Sequence, residues 1–483
     1  MEILRKIIFV CIIVFPFVGN SQITFYKKYT SGSFDQGNGL TQLPDSSYAI
    51  TGTSGGFDNN SGQAFLMITD SLGNQKWTKN YGGFGDDIGV RVIHVPGDGF
   101  FIAGYSGSTS NGNFDFVLYK TDESGNLQWE KKYGGLDWEK LNDAALLSDG
   151  GLILVGETEG LNSLGKDIYM VRTNSLGDTI WTKTIRTPVD DFVNAVEVLS
   201  STEFVIGGNL EEAGLPKGIL SAYNIDGTEV WTEFLNQAGI STVNDITIHQ
   251  NEIFAVGFLK NPSENKDDLW LTKTDLTGGF IGHYYEQFYE LNTFFNTVIV
   301  KDPSIFYMGM MTESPEVTPY PGGLDALVHR YNSANLFFLS SVGFSGYNKD
   351  MINQMIVAND GGIVLVGTVS DDSDDFSLGT DVMLVRIGPN DEVPPNADTG
   401  NDLVNLMTEQ KKAIAIFPNP TRSFINIPDE LKNKHFKLLN IQGQVVKSGT
   451  VTSKIYLDTL EEGIYFISVN DQKQIWTAKI IKK

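Results

Sequence analysis

"DESGNLQWEKKYGG", residues 122–135, has a near-copy 52 positions earlier, "DSLGNQKWTKNYGG", residues 70–83. Both copies place an acid, a glycine three residues on, a tryptophan four further on, and then Tyr-Gly-Gly. An aspartate at the start of a turn accepts backbone N–H groups two residues on, and a glycine near its end supplies positive φ. Asp122 and Gly125 suit those roles, so the stretch reads as a tight turn between two strands, the second beginning near Trp129. Trp77, Trp181 and Trp231 follow Gly73, Gly177 and Gly227 at the same spacing. A tryptophan tied to one turn in four units is expected to fill the wedge between neighbouring units. The rival reading is a row of sugar-stacking platforms.

The repeat extends well beyond these two copies. A hydrophobic run ending in glycine recurs as "YAITG", "FFIAG", "LILVG", "FVIGG", "IFAVG", "FYMG" and "IVLVG". The closing glycines are Gly52, Gly104, Gly156, Gly208, Gly257, Gly309 and Gly367, spaced by 52, 52, 52, 49, 52 and 58 residues. The second unit resolves into four short strands, "GVRVIHV", "GFFIAGY", "DFVLYKT" and "LQWEKKY". They are rich in β-branched and aromatic residues and bounded by turn formers. Four-stranded units at this period fit a β-propeller, whose blades run about 40–50 residues. A β-helix uses much shorter rungs, and a sandwich has no such period. The expected fold is therefore all-β, with a seven-bladed β-propeller over residues 22–390, a linker at 391–411 and a small β-sandwich at 412–483. The last unit lacks an outer strand, and "ITFYKKYT" carries one at the other end of the chain. Phe25 stands 52 residues before Trp77, with Lys27 and Tyr29 matching Lys79 and Tyr81. Residues 23–29 are expected to pair with 381–387 and close the ring.

The acid-turn-Gly-x-x-x-Trp pattern resembles the tryptophan-docking repeats of quinone-dependent dehydrogenase propellers. It also resembles the Asp-box of sialidases, in which the acid and the aromatic sit one residue nearer the glycine. Both are structural devices, and neither implies a catalytic residue here. The unit as a whole is similar to secreted propeller repeats found on proteins with a type IX sorting domain. After the polar linker come "IFPNPTRSFINIP", "FKLLNIQGQVVKSG", "LDTLEEGIYFISV" and "AKIIKK". Phe417-Pro418-Asn419-Pro420, Gly443, Leu460, Gly463, Tyr465 and Lys479-Ile480-Ile481 resemble the type A sorting domain of bacterial type IX secretion across essentially all of 412–483. The resemblance implies Sec export, engagement by the type IX secretion machinery at the outer membrane, and removal of this domain on release or surface attachment.

The first residues fit that route. Arg5 and Lys6 precede an apolar run from Ile7 to Val18, too short for a bilayer span of about 20 residues but suited to a signal peptide over 1–21. Cys11, the chain's one cysteine, lies inside the run, so a chain cleaved near Gln22 is held by packing without disulfides. No other segment approaches a membrane span, and no transmembrane segment is expected in the mature chain. Residues 22–411 hold 22 basic and 52 acidic side chains, whereas 412–483 hold 11 and 6. So acidic a body repels nucleic-acid phosphates and anionic membrane surfaces, which argues against a nucleic-acid partner and leaves metal cations or cationic partners.

Recognisable catalytic chemistry is absent from the sequence. His94, His249, His283, His329 and His435 are scattered, with no H-E-x-x-H spacing and no cysteine partner for zinc. There is no G-x-S-x-G elbow, P-loop or dinucleotide fingerprint. Two acidic sets are positional. Counting 17 residues back from the strand glycine gives Asp35, Asp87, Glu139, Asp191 and Asp350, with Ile240 and Asn292 in the fifth and sixth units. Asp115, Asp167, Asp268, Asp325 and Asp381 open the third strands. The favoured reading is that both sets bond loop backbone. Asp87, Asp191 and Asp350 are the candidate calcium or ligand residues, because hard oxygen ligands suit that metal. If the fourth strand is outermost, these acids share a face with the long loops "TSGGFDNNSG", "MMTESPEVTPYPGG" and "VSDDSDDFSLGT", where function is expected. The chain reads as an exported binding or scaffold module for an unknown glycan or protein ligand. The alternative is a secreted glycan-active hydrolase or lyase, which a convergent carboxylate pair in a deep pocket would favour.

Overall fold

The turn that opens the repeat forms as its residues require. In the computed structural model, Asp122 Oδ1 accepts the N–H groups of Ser124 at 2.9 Å and Asn126 at 2.8 Å. Gly125 adopts φ 72°, and Gly73, Gly177, Gly227 and Gly278 repeat that left-handed conformation. The structure describes residues 23–394 and 412–483 outside short internal segments, of which 314–323 and 371–378 are the longest.

Described strands 23–394 form seven four-stranded antiparallel sheets. Numbered in chain order, sheets 1 to 7 begin with inner strands Asp35–Gln42, Asp87–Val95, Trp138–Leu146, Phe192–Val198, Ile240–His249, Thr293–Asp302 and Met351–Val357. Each inner strand lies against those of the neighbouring sheets, and sheet 7 returns to sheet 1. The result is a closed β-propeller. Phe25–Tyr29 supplies the outer strand of sheet 7, pairing antiparallel with Thr380–Ile387 in a register running from Phe25↔Arg386 to Tyr29↔Val382. The N-terminal segment thus closes the ring and covers a strand edge that would otherwise be open.

The core lies between the sheets. Seven apolar clusters each span two neighbours, from Leu66, Tyr81, Phe100 and Tyr119 between sheets 1 and 2 to Leu40, Phe65, Val366 and Leu384 between sheets 7 and 1. The tryptophans enter these wedges, as expected. A Cβ on Gly125 would stand 2.7 Å from the Trp77 ring, and one on Gly177 2.6 Å from the Trp129 ring. Each ring therefore covers the turn of the next sheet, and glycine is needed there for space as well as for φ. Phe25 holds the same relation to Gly73. Beside the rings, the hydroxyls of Tyr29, Tyr81 and Tyr133 donate to the carbonyls of Gly73, Gly125 and Gly177 at 2.6, 2.8 and 2.7 Å. The 52-residue interval between acid, glycine, tryptophan and tyrosine is thus the advance from one sheet to the next.

A second lock runs around the axis. Every inner strand has a β-bulge, and the bulged residues are Asn38, Val90, Asn142, Asn194, Asn244, Asn296 and Asn353. All six asparagines donate Nδ2 to a carbonyl just before the bulge of the next sheet. Asn38 reaches Gly89 at 2.9 Å, Asn142 reaches Val193 at 2.9 Å, and Asn194 reaches Val243 at 2.8 Å. Asn244 reaches Phe295 at 2.8 Å, Asn296 reaches Ile352 at 3.2 Å, and Asn353 returns to Gly37 at 2.8 Å.

The bulge also explains the strand glycines. In six sheets a Cβ at that glycine would stand 1.8–2.0 Å from the carbonyl oxygen two residues before the bulge, as Gly52 shows against Gln36 and Gly208 against Phe192. Sheet 6 differs. There Phe295, the residue before the bulge, pairs with Met310, while Gly309 pairs with Thr297 one step beyond.

The C-terminal residues form a five-stranded sheet and a two-stranded sheet. Ile425, Leu438, Ile455, Leu457, Ile467 and Ile480 form part of their shared core, a small two-layer sandwich. Tyr465 is buried and donates its hydroxyl to the Glu461 carbonyl at 2.9 Å, while Leu460 packs against the core. Phe417, Asn419 and Gly443 lie outside the described residues.

A chain beginning at residue 30 should lose at least about 3 kcal/mol of propeller stability, the usual cost of emptying a buried aromatic site, because Phe25 is one of the residues removed. Chemical denaturation should show a lower midpoint and a less cooperative transition; an unchanged curve would refute closure by this strand.

Candidate functional site: the loop-rich face and the axis

Antiparallel order places the starts of the inner and third strands on one face, together with the connections between sheets. The first positional acid set sits there, and it is buried. Asp35, Asp87, Glu139, Asp191 and Asp350 are each at most 4% exposed. Asp35 accepts the N–H of Ser31 at 2.6 Å, Asp87 that of Gly83 at 2.8 Å, Glu139 that of Gly135 at 3.2 Å, and Asp191 that of Thr187 at 2.8 Å. Each therefore binds the backbone four residues earlier, within the connection that leads into its own strand. Hydroxyls add to this: Ser108 donates to Asp87 at 2.9 Å, Thr158 to Glu139 at 2.9 Å, and Thr187 to Asp191 at 2.8 Å.

Alignment on the bulge corrects one detail of the sequence count. The acid position lies three residues before each bulged residue, which puts Ser241 and Thr293 there in sheets 5 and 6 rather than Ile240 and Asn292. The glycine is displaced against the bulge in sheet 6, and in sheet 5 the turn from His249 to Glu252 brings it one residue closer. Ser241 is fully buried, and its Oγ accepts the N–H of Gly218 at 2.9 Å. A hydroxyl at this position again binds loop backbone.

The structure brings the two acid sets together. Asp115, opening the third strand of sheet 2, and Glu139 of sheet 3 converge beside Gly134, where an added Cβ would stand 2.1 Å from Asp115 Oδ1 and 2.4 Å from Glu139 Oε2. Burial pushes both carboxyls up; the Asp115 charge adds to the rise at Glu139, whereas the Glu139 carboxyl works against it at Asp115. Asp167 and Asp191 form the next such junction; burial raises both, and Arg186 stands 3.0 Å from Asp167. Retaining and inverting glycosidases hold their carboxyls about 5–10 Å apart so that substrate or water fits between them. Two carboxyl oxygens this close beside Gly134 leave no such gap. Among the described residues, no group of three or more His, Cys, Asp or Glu is arranged to hold a metal ion. The three long loops fall mostly at 56–61, 314–323 and 371–378, outside the described residues.

Two features escaped the sequence reading. One is an axial charge cluster. Arg91 and Asp143 form a salt bridge between neighbouring inner strands. Burial opposes the Arg91 charge, but Asp143, Asp245 and Glu197 more than offset it and hold the guanidinium firmly protonated. Asp143 also accepts the N–H of Val196 at 2.9 Å, and Asp245 that of Val298 at 2.8 Å. Arg91, Asp143 and Asp245 each follow the bulged position of their strand, so a charge recurring there was the available signal. Burial, with Asp143 and Asp245 adding repulsion, pushes Glu197 up to about 7. Burial likewise pushes Asp245 up to about 6, against the opposing Arg91 charge.

The second feature is apolar. Phe84 is 97% exposed and Leu136 72% exposed, more than any other large hydrophobic side chain among the described residues. They occupy the same place, 52 residues apart, in successive connections between sheets. Trp138 is 43% exposed, edge-on to Phe114 at 5.3 Å, and the Lys140 ammonium lies over both rings. An open cleft of about 640 Å³ lies elsewhere, on the outer strands of sheets 1 and 2, and Glu130 is its one carboxylate.

Because Glu197 and Asp245 titrate above the ordinary carboxyl range, their stabilising contribution is complete below about pH 4 and is lost as pH rises through 6 to 7. Glu197→Gln should therefore add about 1–2 kcal/mol at pH 8 and nothing at pH 4, flattening the fall between them. Equal effects at both pH values in denaturant titrations would contradict the cluster's electrostatics.

Comparison with known proteins places the C-terminal domain. Residues 415–483 match the model of the secretion system C-terminal sorting domain. No curated protein is significantly similar to the chain. Similar solved structures include the Pan2 WD40 domain of Neurospora crassa (11% identity, TM-score 0.44, covering 75% of this chain and 96% of that one). The β-propeller domain of the Trilobed protease from Pyrococcus furiosus has 9% identity and TM-score 0.44, covering 76% and 98%. The polysaccharide lyase Uly1 has 11% identity and TM-score 0.47, covering 76% and 100%. No helix among the described residues is long and apolar enough to cross a membrane. Residues 415–483 are thus a type IX secretion sorting domain, which directs this β-propeller protein to the cell surface or the extracellular space.

Proposed function

We propose that the exported propeller is a binding or scaffold module that engages its ligand through the loop-rich face. The observation that carries this reading is the pair Phe84 and Leu136, projecting from successive connections, with the partly exposed Trp138 two residues after Leu136. The two most exposed large hydrophobics among the described residues recur at one place in successive connections of this face, which fits a contact surface. The rigid sheets behind these connections hold the surface in place. The buried acids, including the calcium candidates Asp87 and Asp191, serve this reading as anchors for the connections, since loop N–H and O–H groups already bond them. Residues 1–21 act as the signal peptide, and 391–411 link the propeller to a sorting domain handled by the type IX secretion machinery.

The glycan hydrolase or lyase alternative would have to use a carboxyl pair such as Asp115 and Glu139, whose close approach beside Gly134 disfavours it. The purified chain should release no reducing or unsaturated ends from polysaccharides. Turnover abolished by Glu139→Gln, in a variant that remains folded, would establish the enzyme instead.

Export has its own test. Deleting 412–483 should leave a folded propeller in the periplasm. Its normal appearance outside the cell would reject this account of the tail.

A further inference from the structure

The partner's chemistry can be read from what surrounds the exposed hydrophobics. The described loop-rich segments of sheets 2 to 4 are 82–87, 106–108, 114–115, 134–139, 157–160, 165–167, 186–191 and 209–217. They carry 12 acidic side chains against three basic ones, Lys166, Arg186 and Lys217. Two of these cations are engaged within the face, Lys166 with Glu157 at 2.8 Å and Arg186 with Asp167 at 3.0 Å. The two lysines that reach it from the strands are also held, Lys132 by the Ser108 carbonyl at 2.7 Å and Lys140 over the Phe114 and Trp138 rings. The buried acids lie below the surface, bonded to backbone, whereas Asp86, Glu159, Asp190 and Glu212 are exposed. Asp86 and Asp190 are fixed in place, accepting the N–H groups of Gly62 at 3.0 Å and Lys166 at 2.8 Å. Phe84, Leu136, Trp138 and, on the hairpin of sheet 4, the 38% exposed Leu215 stand among these carboxylates.

From this charge complementarity we infer that the face docks a cationic protein segment, one that presents Lys or Arg together with aliphatic side chains. The inference rests on the loop-rich face being the binding surface. Apolar side chains of the partner cover Phe84, Leu136 and Trp138, while its cations meet Asp86, Glu159, Asp190 and Glu212. Opposite potentials steer the encounter, and the apolar anchors hold the complex once formed. A neutral oligosaccharide would match the rings but would leave the carboxylates without a counter-charge.

The test uses the full chain and three probes: a soluble Gly-Ser peptide carrying Arg and Leu, the same peptide with Glu for Arg, and neutral oligosaccharides. The Arg-Leu peptide should bind, the Glu-Leu peptide should not, and affinity should fall as salt rises across the range where the Debye length drops below about 10 Å. Phe84→Ser with Leu136→Ser should weaken binding about tenfold or more, as should Asp86→Asn with Asp190→Asn. Leu72→Ser with Leu176→Ser, at exposed sites on the opposite face, should leave it unchanged. If oligosaccharides bind instead and Phe84→Ser with Leu136→Ser abolishes that binding, the cationic partner is refuted while the binding face stands. If binding is lost only with the Leu72 and Leu176 changes, both fail. Equal binding by all variants marks non-specific attraction to an acidic protein and overturns the inference.

Discussion

The structure depends on the side-chain amide that crosses from one inner strand to the next. A bulged asparagine gives up its place in its own ladder and donates to a carbonyl of the neighbouring sheet, six times around the axis. Each bond is worth about 1 kcal/mol net, but losing one leaves a buried carbonyl short of a donor, at about 1–3 kcal/mol. The bulge that frees the amide brings a carbonyl over the second strand, where only glycine fits. Asparagine and glycine are thus two halves of one device. The outer ring of tryptophans and tyrosines repeats the principle at the rim, each side chain bridging to the turn of the next sheet. Sheets linked to their neighbours at both radii form a scaffold whose connections can vary.

This arrangement decides where chemistry can reside. Carboxylates at the strand starts are drawn into fixing the connections, and those on the axis share one arginine among three. What remains exposed on the loop-rich face is the layer above, with its paired apolar tips and exposed acid groups.

Much of the fold was legible because it rests on local signals at a fixed interval. The Asp122 turn, the Gly125 conformation, the Trp129 wedge and closure by Phe25–Tyr29 each follow from residues whose roles are strong and repeated. The asparagine latch was equally periodic, yet a bulge is invisible to alternation counting, and an asparagine inside a strand looks like an ordinary polar position. Counting from the glycines also misplaced the acid position in sheets 5 and 6, where the bulge and glycine are offset differently. For the site, the sequence located the acids and suggested loop bonding among their roles. It could not show that Asp115 and Glu139 meet across a junction between sheets, or that Phe84 and Leu136 remain uncovered. Those are facts of packing between units, which periodicity alone does not carry.

The most direct test of this account is the stability of Asn194→Asp at neutral pH, measured by denaturant unfolding. The substitution preserves shape but replaces the donor facing the Val243 carbonyl with a carboxylate oxygen. A loss of about 2–3 kcal/mol, at least as large as that for Asn194→Ala, is the result the account requires. Stability equal to that of the unaltered chain would show that the amide ring does not hold the propeller together.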